Sequence, residues 1–497
     1  MASIGAYARL AGAGWTLVRN DALLPRELDG FYSPAVRGAA NTLRAFATQR
    51  EGRPGERLAR SLERLGPVAI KLGQLLSTRA DIFGRTFAED LSHLKDRLPP
   101  FSTDQAKAAV EHELGRPLDE VFASFGEPVA AASLAQAHDA TLPDGGRVAV
   151  KVLRPGIERR VAADSAVLEL AAGLVERWAP PARRLEPRKF AATVIRATEL
   201  ELDLRLEAAG ADELAEVMEA DGYMAAPKVV WAGVGKRVLT MAWADGMPLS
   251  DEGALEQPGL DRKTLADNLT RAFLAQALDH GVFHADLHEG NLFIAAPARI
   301  YAVDFGIIGR LGATERRYLA EILWGFLQRD YQRVAQTHFD AGYVPSHHSV
   351  AAFAQALRAV GEPVFGRTAS AVAMSRVLSQ LFEITALFEM RLRPELVLLQ
   401  KTMMTVEGVA RRIDPHHDIW AAAEPVVRRW IARELSPFSR VKQLAGEAEQ
   451  ALRNLARLTD PPAPVAPASE HPHSRLLWFV LGVLAALAAF AAGALVR

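Results

Sequence analysis

The sequence contains no cysteine. That absence excludes disulfides, thiolate zinc sites, iron–sulfur clusters and cysteine nucleophiles together, so any catalysis must fall to carboxylate, histidine, lysine or a bound metal. Charge bias is absent too. Lysine plus arginine (58) nearly cancel aspartate plus glutamate (59) over 497 residues, which leaves no electrostatic basis for wrapping nucleic acid. The start, MASIGAYARLAGAGWTLVRND, lacks the basic segment, long apolar core and cleavage signal of a secretory leader. A long charge-free apolar run comes only at 476–496, LLWFVLGVLAALAAFAAGALV, whose 21 residues would span roughly 31 Å as a helix, enough for one bilayer crossing. The Pro-rich stretch DPPAPVAPASEHPH separates it from the body, and Arg453, Arg457 and Arg475 on the body side against Arg497 beyond it place the body in the cytoplasm.

The remaining chain is long enough for two lobes with appendages. Residues 1–55 mix apolar and basic positions and would suit a membrane surface. Residues 56–115 read as successive amphipathic helices broken by the double proline at 99 and 100, with Thr103 as a cap. From 116 to 245 short β patterns dominate, among them a hairpin turned at Asp144, Gly145 and Gly146 and helical stretches at about 158–178 and 188–220. Residues 246–440 are mostly helical, 441–475 form a linker and 476–496 the anchor. The expected fold class is therefore α+β.

Glycine is missing where it would be most expected. The stretch EPVAAASLAQAHDATLPDGGRVAVKVLRPG ends in a strand carrying Lys151, placed as if to hold nucleotide phosphates, yet the turn before it offers Ala130, Ala131, Ala132 and Ser133. Phosphate loops favour glycine because it allows close backbone approach and positive φ. Downstream, HADLHEGN places Asp286 and Asn291 five apart, and VDFG places Asp304 eighteen after Asp286. With Lys151 upstream, this order and spacing resemble the lysine, catalytic loop and D-F-G of protein kinases. Phosphoryl transfer needs a carboxylate to orient the nucleophile, an amide and a second carboxylate to hold Mg2+, and a lysine on the phosphates. Two features depart from ordinary protein kinases: Ala285 replaces the H-R-D arginine, and no A-P-E follows Asp304.

Further motifs identify the chain as resembling the ABC1/UbiB family of atypical kinase-like proteins, on its bacterial ubiquinone-biosynthesis branch. They are K-x-G-Q as Lys71, Leu72, Gly73 and Gln74; AAAS at 130–133; VAVK at 148–151; E-x-D at Glu201 and Asp203, followed by Glu207; HADLHEGN; DFG; and KTMMTVEGVARRIDP at 401–415. The resemblance covers about residues 60–420. It implies a two-lobed protein-kinase-like fold with a helical N-terminal extension and a C-terminal transmembrane helix, the extension folding over the active-site cleft. Departures from the family pattern are Leu287 and Glu289 in place of two prolines, and Ala242 where an acidic side chain is common.

The resemblance implies ATP or ADP with Mg2+ as cofactors. Asp286 would be catalytic, and Asn291 and Asp304 would hold the metal. Ala130, Ala131, Ala132, Ser133, Leu134, Ala135, Gln136, Lys151, Glu201, Met241 and Ala242 would surround the nucleotide, with Glu201 favoured over Glu199 and Glu207 as partner of Lys151. Lys71, Gly73, Gln74 and Asp203 would form a regulatory motif. His284 and His288 are expected to support the loop rather than bind metal. The implied activity is ATP binding and hydrolysis serving ubiquinone biosynthesis at the cytoplasmic membrane. Its partners would be membrane lipid, polyprenyl-phenol and quinone intermediates and other proteins of the pathway, with a homodimer left open and no nucleic acid. A phosphotransferase acting on a lipid, small molecule or protein, a nucleotide-responsive scaffold, and a polyprenylphenol hydroxylase are the competing readings; no G-x-G-x-x-G or flavin signature favours the last.

Overall fold

The computed structural model describes residues 4–22, 37–38, 41, 46–48, 51–77, 85–92, 94, 99–178, 183, 186–365, 384, 387–390 and 394–434. The apolar run at 476–496, the linker at 441–475 and most of the segment 23–50 lie outside them. Among the described residues no helix is long and apolar enough to cross a membrane. Residues Met1–Ile431 form one compact unit; of the second, Ala432–Arg497, residues 432–434 are described.

The N-terminal part is helical. Helix α1 (Ile4–Arg19) precedes α2 (Pro54–Leu65), α3 (Pro67–Ser77) and α4 (Arg85–Ser92). Ala59 and Leu62 of α2 pack with Phe87 and Leu91 of α4 and with Leu94, and Ala69, Leu72 and Leu76 of α3 lie against them. After the double proline, the cap of α5 (Thr103–Leu114) lies one residue earlier than assigned from sequence: Ser102, not Thr103, accepts the Gln105 amide, and Gly115 closes the helix in the left-handed region at φ 64°. The Thr103 hydroxyl instead donates to Glu127 at 2.6 Å. A short turn, α6 (Leu118–Val121), leads into the sheet.

Strands β1 (Ser124–Ala131), β2 (Ala135–Thr141), β3 (Arg147–Leu153) and β4 (Val238–Ala242) form an antiparallel sheet in the order β1-β2-β3-β4. The strand period of two decides which side chains enter the core. Val148, Val150 and Val152 are buried with Val110, Phe122 and Val238, so Lys151 is left on the opposite face. Asp144 accepts the Gly146 amide at 2.9 Å and Gly145 takes φ 88°, which closes the β2–β3 hairpin where the sequence indicated.

Between β3 and β4 run α7 (Ile157–Trp178), α8 (Pro187–Leu200) and α9 (Leu204–Asp221). The pattern at 188–220 is thus two helices, not one. Asp203 breaks it by capping α9, its carboxylate accepting the Arg205 amide at 3.2 Å, a local bond that competes with helix continuation.

The rest is helical apart from two small sheets. Helix α10 (Arg262–Ala275) runs into a π turn at Gln276–His280. Strand β6 (Val282–His284) pairs with β9 (Ile308–Arg310), and β5 (Met247–Pro248) pairs with β7 (Leu292–Ala295), which pairs with β8 (Arg299–Ala302). Helices α11 (Ala313–Leu327), α12 (Tyr331–Asp340), α13 (Val350–Phe365), α14 (Pro394–Ile413) and α15 (Ile419–Glu434) follow. Their core gathers Val334, Ala335, Phe353, Leu357, Phe388 and Ile419.

Candidate nucleotide site

The two chemical loops are strung between the two small sheets. Residues 285–291 leave β6 and enter β7, and residues 303–307 leave β8 and enter β9. Each loop is therefore anchored at both ends by a paired strand, which holds functional side chains more closely than free loops do. Two backbone bonds tie the loops together, Ala285 N–H to Ile307 O at 3.0 Å and Val303 N–H to Asn291 O at 2.9 Å.

His284 sits between them, fully buried. Its Nε2 donates to Val303 O at 3.2 Å and its Nδ1 accepts the Asp286 amide at 3.1 Å. Burial lowers its pKa, which keeps the imidazole in the neutral form these two bonds require. His284 thus supports the loop rather than offering a metal ligand. His288 caps the turn after Asp286 by accepting the Gly290 amide at 3.0 Å, and its Nε2 lies 3.6 Å from the Asp286 carboxylate. The Asn291 amide donates to Asp286 O at 3.0 Å, leaving its side-chain oxygen for another partner.

Lys151 crosses to these loops from β3. Its ammonium lies 2.7 and 2.9 Å from the two oxygens of Glu207 and 3.3 Å from Asp304. Burial opposes its charge, but the two carboxylates outweigh burial and raise its pKa. Lys151 in turn holds the Asp304 carboxyl below its usual range. Asp304 has a left-handed backbone at φ 61°, uncommon for a residue with a side chain and found most often at functional sites.

The assignment of Glu201 to Lys151 is corrected here, since Glu207 takes that place. Glu201 caps the end of α8 and pairs with Lys71 of α3, whereas Glu207 lies one turn into α9. The helix break at Asp203 sends the two glutamates to different lysines. Asp203, placed by the resemblance in a regulatory motif with Lys71, pairs instead with Arg205 and caps α9. Burial raises the pKa of both Glu201 and Glu207, with Lys71 and Lys151 respectively opposing it. Two ammonium groups thus face three carboxylates, an excess of negative charge that suits a divalent cation.

The alanine turn dispenses with glycine because its backbone never enters the left-handed region. Ala130 and Ala131 pair with Ala137 and Gln136 as ordinary strand residues, and Ala132 N–H closes a tight turn on Ala135 O at 2.8 Å. Ser133 and Leu134 at the tip are buried. Arg154 holds the turn by donating to Ala132 O at 2.7 and 2.9 Å and to Pro99 O at 2.9 Å. Gln136 is already spoken for: its amide accepts from Phe101 N–H at 2.9 Å and donates to Phe101 O at 3.1 Å. The segment 99–101 therefore straps the turn, and Gln136 could reach a nucleotide only if that strap moved. On β4, Ala242 N–H is committed to Lys228 O at 2.8 Å, which leaves its carbonyl for a ligand; Met241 is buried beside it.

The K-x-G-Q motif lies on α3, which packs on α8 and brings Lys71 to Glu201. A Cβ on Gly73 would stand 2.3 Å from Leu94 Cδ1 and 2.7 Å from Leu62 Cδ1, so the glycine lets α3 seat against its neighbours. Gln74 is half-buried on the same helix, its carbonyl accepting from the Ser77 hydroxyl at 2.6 Å.

Comparison with known proteins places this arrangement. Residues 93–338 match the ABC1 atypical kinase-like domain and residues 357–418 match the UbiB helical domain. A "Probable protein kinase UbiB" of Marinobacter nauticus is 41% identical over 395 residues, covering 78% of this chain and 72% of its own. The chain belongs to the UbiB family of ABC1 atypical kinase-like proteins. A namesake from Pseudomonas putida is 41% identical over 410 residues, covering 82% of this chain and 76% of its own. Among solved structures, the complex of Rv3197 with erythromycin from Mycobacterium tuberculosis aligns with TM-score 0.50 at 24% identity, covering 79% of this chain and 96% of that one, and supports the mixed helix and sheet kinase-like fold.

As a UbiB-family chain it carries a helical region that reaches the 285–291 loop. Thr402 on α14 donates to Ala285 O at 3.1 Å, and Arg412, near the end of the same helix, pairs with Glu289. In the sequence this segment stands as a motif without an assigned task, and its helical spacing carries no signal that it meets a loop more than a hundred residues earlier. Glu289, noted only as a departure from the family pattern, acquires a partner. Both side chains keep about a third of their surface in solvent, so the stability effect is expected to be under about 1 kcal/mol. Arg412→Glu would set like charges together and lower turnover about 2- to 5-fold, with Glu289→Arg in the same chain restoring it. Equal loss in the single and double variants would show that the pair does not position the loop.

Proposed function

We propose that the chain binds ATP with Mg2+ and hydrolyses it, serving ubiquinone biosynthesis at the bacterial cytoplasmic membrane. The observation that carries this reading is Lys151 held by Glu207 and Asp304 beside a loop whose Asp286 and Asn291 are locked by backbone bonds. In this reading Lys151 neutralises phosphate charge and Asp286 accepts the proton of the attacking water. Asn291 and Asp304 hold Mg2+, which when bound adds positive charge at the phosphate oxygens. The alanine turn, with Ser133 at its tip, and the backbone at Met241 and Ala242 border the nucleotide. Lys71, anchored on Glu201, keeps α3 against the site and limits docking of a large protein acceptor. The apolar run at 476–496 would anchor the body to the bilayer, where polyprenyl-phenol intermediates reside.

The test measures quinones and their phenolic precursors by mass spectrometry in native-host cells lacking the protein, with and without the wild-type gene. Restored ubiquinone with cleared precursors supports the assignment. Quinone content independent of the gene removes the pathway and leaves the nucleotide site to be tested separately.

A further inference from the structure

A second group of potential ligands lies in the helical region. His347 and His348, in the loop before α13, meet Glu389, in the turn at 387–390. One ligand atom from each residue lies within 4.8 Å of the other two, and His347 Nε2 is 3.6 Å from Glu389 Oε2. Two donors about 2.0–2.1 Å from a tetrahedral ion stand roughly 3.3 Å apart, so the pair is already close to the spacing of two ligands on zinc.

Three other observations point to a ligand. His348 Nε2 is buried and has no hydrogen-bond partner among the described residues, a condition buried polar nitrogens rarely keep. The wall behind it is apolar: Phe388, itself buried, lies 5.3 Å from the His348 ring and 4.9 Å from Phe353 in the core. Glu389 takes φ 50°, a left-handed conformation uncommon for a glutamate, while the neighbouring Phe388 enters the core and His347 meets its carboxylate.

We propose that His347, His348 and Glu389 form a binding site for a zinc-class divalent cation that pins the loop before α13 to the turn at 387–390. Two imidazoles and a carboxylate are a borderline-soft set, suited to Zn2+ rather than Mg2+, and they leave a fourth position for water. The site is distinct from the residues proposed to hold Mg2+ and goes beyond the nucleotide reading, so neither depends on the other. Its role is structural. It cross-links two segments about forty residues apart whose joint anchors the helix core containing Phe353 and Phe388.

The test uses the full, tag-free chain stripped with EDTA and titrated with ZnCl2 by calorimetry, without nucleotide. One Zn2+ per chain is expected with micromolar or tighter affinity, weakened at least tenfold in both His347→Ala and Glu389→Gln and unchanged in Asp304→Asn. Because His347 and Glu389 are exposed, both variants are expected to fold, and Zn2+ should raise the melting temperature of wild type but not theirs. No binding by wild type overturns the proposal. So does binding that survives both variants, or binding that disappears only with Asp304→Asn.

Discussion

Asp286→Asn is expected to lower ATP turnover by about 10²- to 10⁴-fold, the usual contribution of a positioned proton acceptor, while nucleotide affinity stays within a few-fold of wild type. The reason is local. The backbone of Asp286 is held by His284 Nδ1 on its amide and Asn291 on its carbonyl, neither of which involves its side chain. An asparagine fills the same space and leaves those bonds intact, but it cannot take a proton. Steady-state phosphate release and fluorescent-nucleotide titration on the same preparation separate the two effects. Turnover within threefold of wild type would remove Asp286 from the chemistry and favour a nucleotide-responsive scaffold. A matching loss of affinity would instead assign Asp286 to binding.

Removing Lys71 is expected to cost stability in a way that grows with pH. Lys71 and Glu201 are both largely buried, so Lys71→Ala strands a carboxylate in a poorly solvated place. The expected cost at pH 8 is about 2–3 kcal/mol, the range for breaking a buried pair less what residual solvent contact recovers. The pH dependence follows from the direction of the shift. Burial already raises the Glu201 pKa, with Lys71 opposing it, and without Lys71 it rises further. A carboxyl whose folded pKa exceeds its unfolded value favours the fold below the unfolded value and loses that contribution as pH climbs through the folded one. The gap between variant and wild type should therefore be smaller at pH 5 than at pH 8. Adding Glu201→Gln to Lys71→Ala should close most of the gap at pH 8. Denaturation midpoints at the two pH values decide it, and a gap that is constant or shrinks with pH would mean that Glu201 is not the stranded group.

Both predictions rest on residues that sequence and structure revealed in different measure. The approach of Lys151 to Asp304 and the tie between Asn291 and Asp286 were legible from order and spacing, whereas the short strands flanking the two loops were not, since they interrupt a stretch whose pattern is mostly helical. The Asp144 hairpin was legible for a local reason: a glycine with positive φ has few other uses there.

What the sequence determined by itself was therefore local: which chemistry-bearing groups the two loops carry, and where the chain turns. Only the tertiary structure decided who partners whom. Glu207 rather than Glu201 reaches Lys151 because Asp203 ends one helix and starts another, a redirection that periodicity could not register across so short a break. Gln136 spends its amide on Phe101, and Thr402 and Arg412 brace a loop distant in sequence, because packing of helices against strands sets these distances. Ion pairs and braces of this kind depend on where two elements meet in space, and that is fixed by burial of apolar faces rather than by any spacing along the chain.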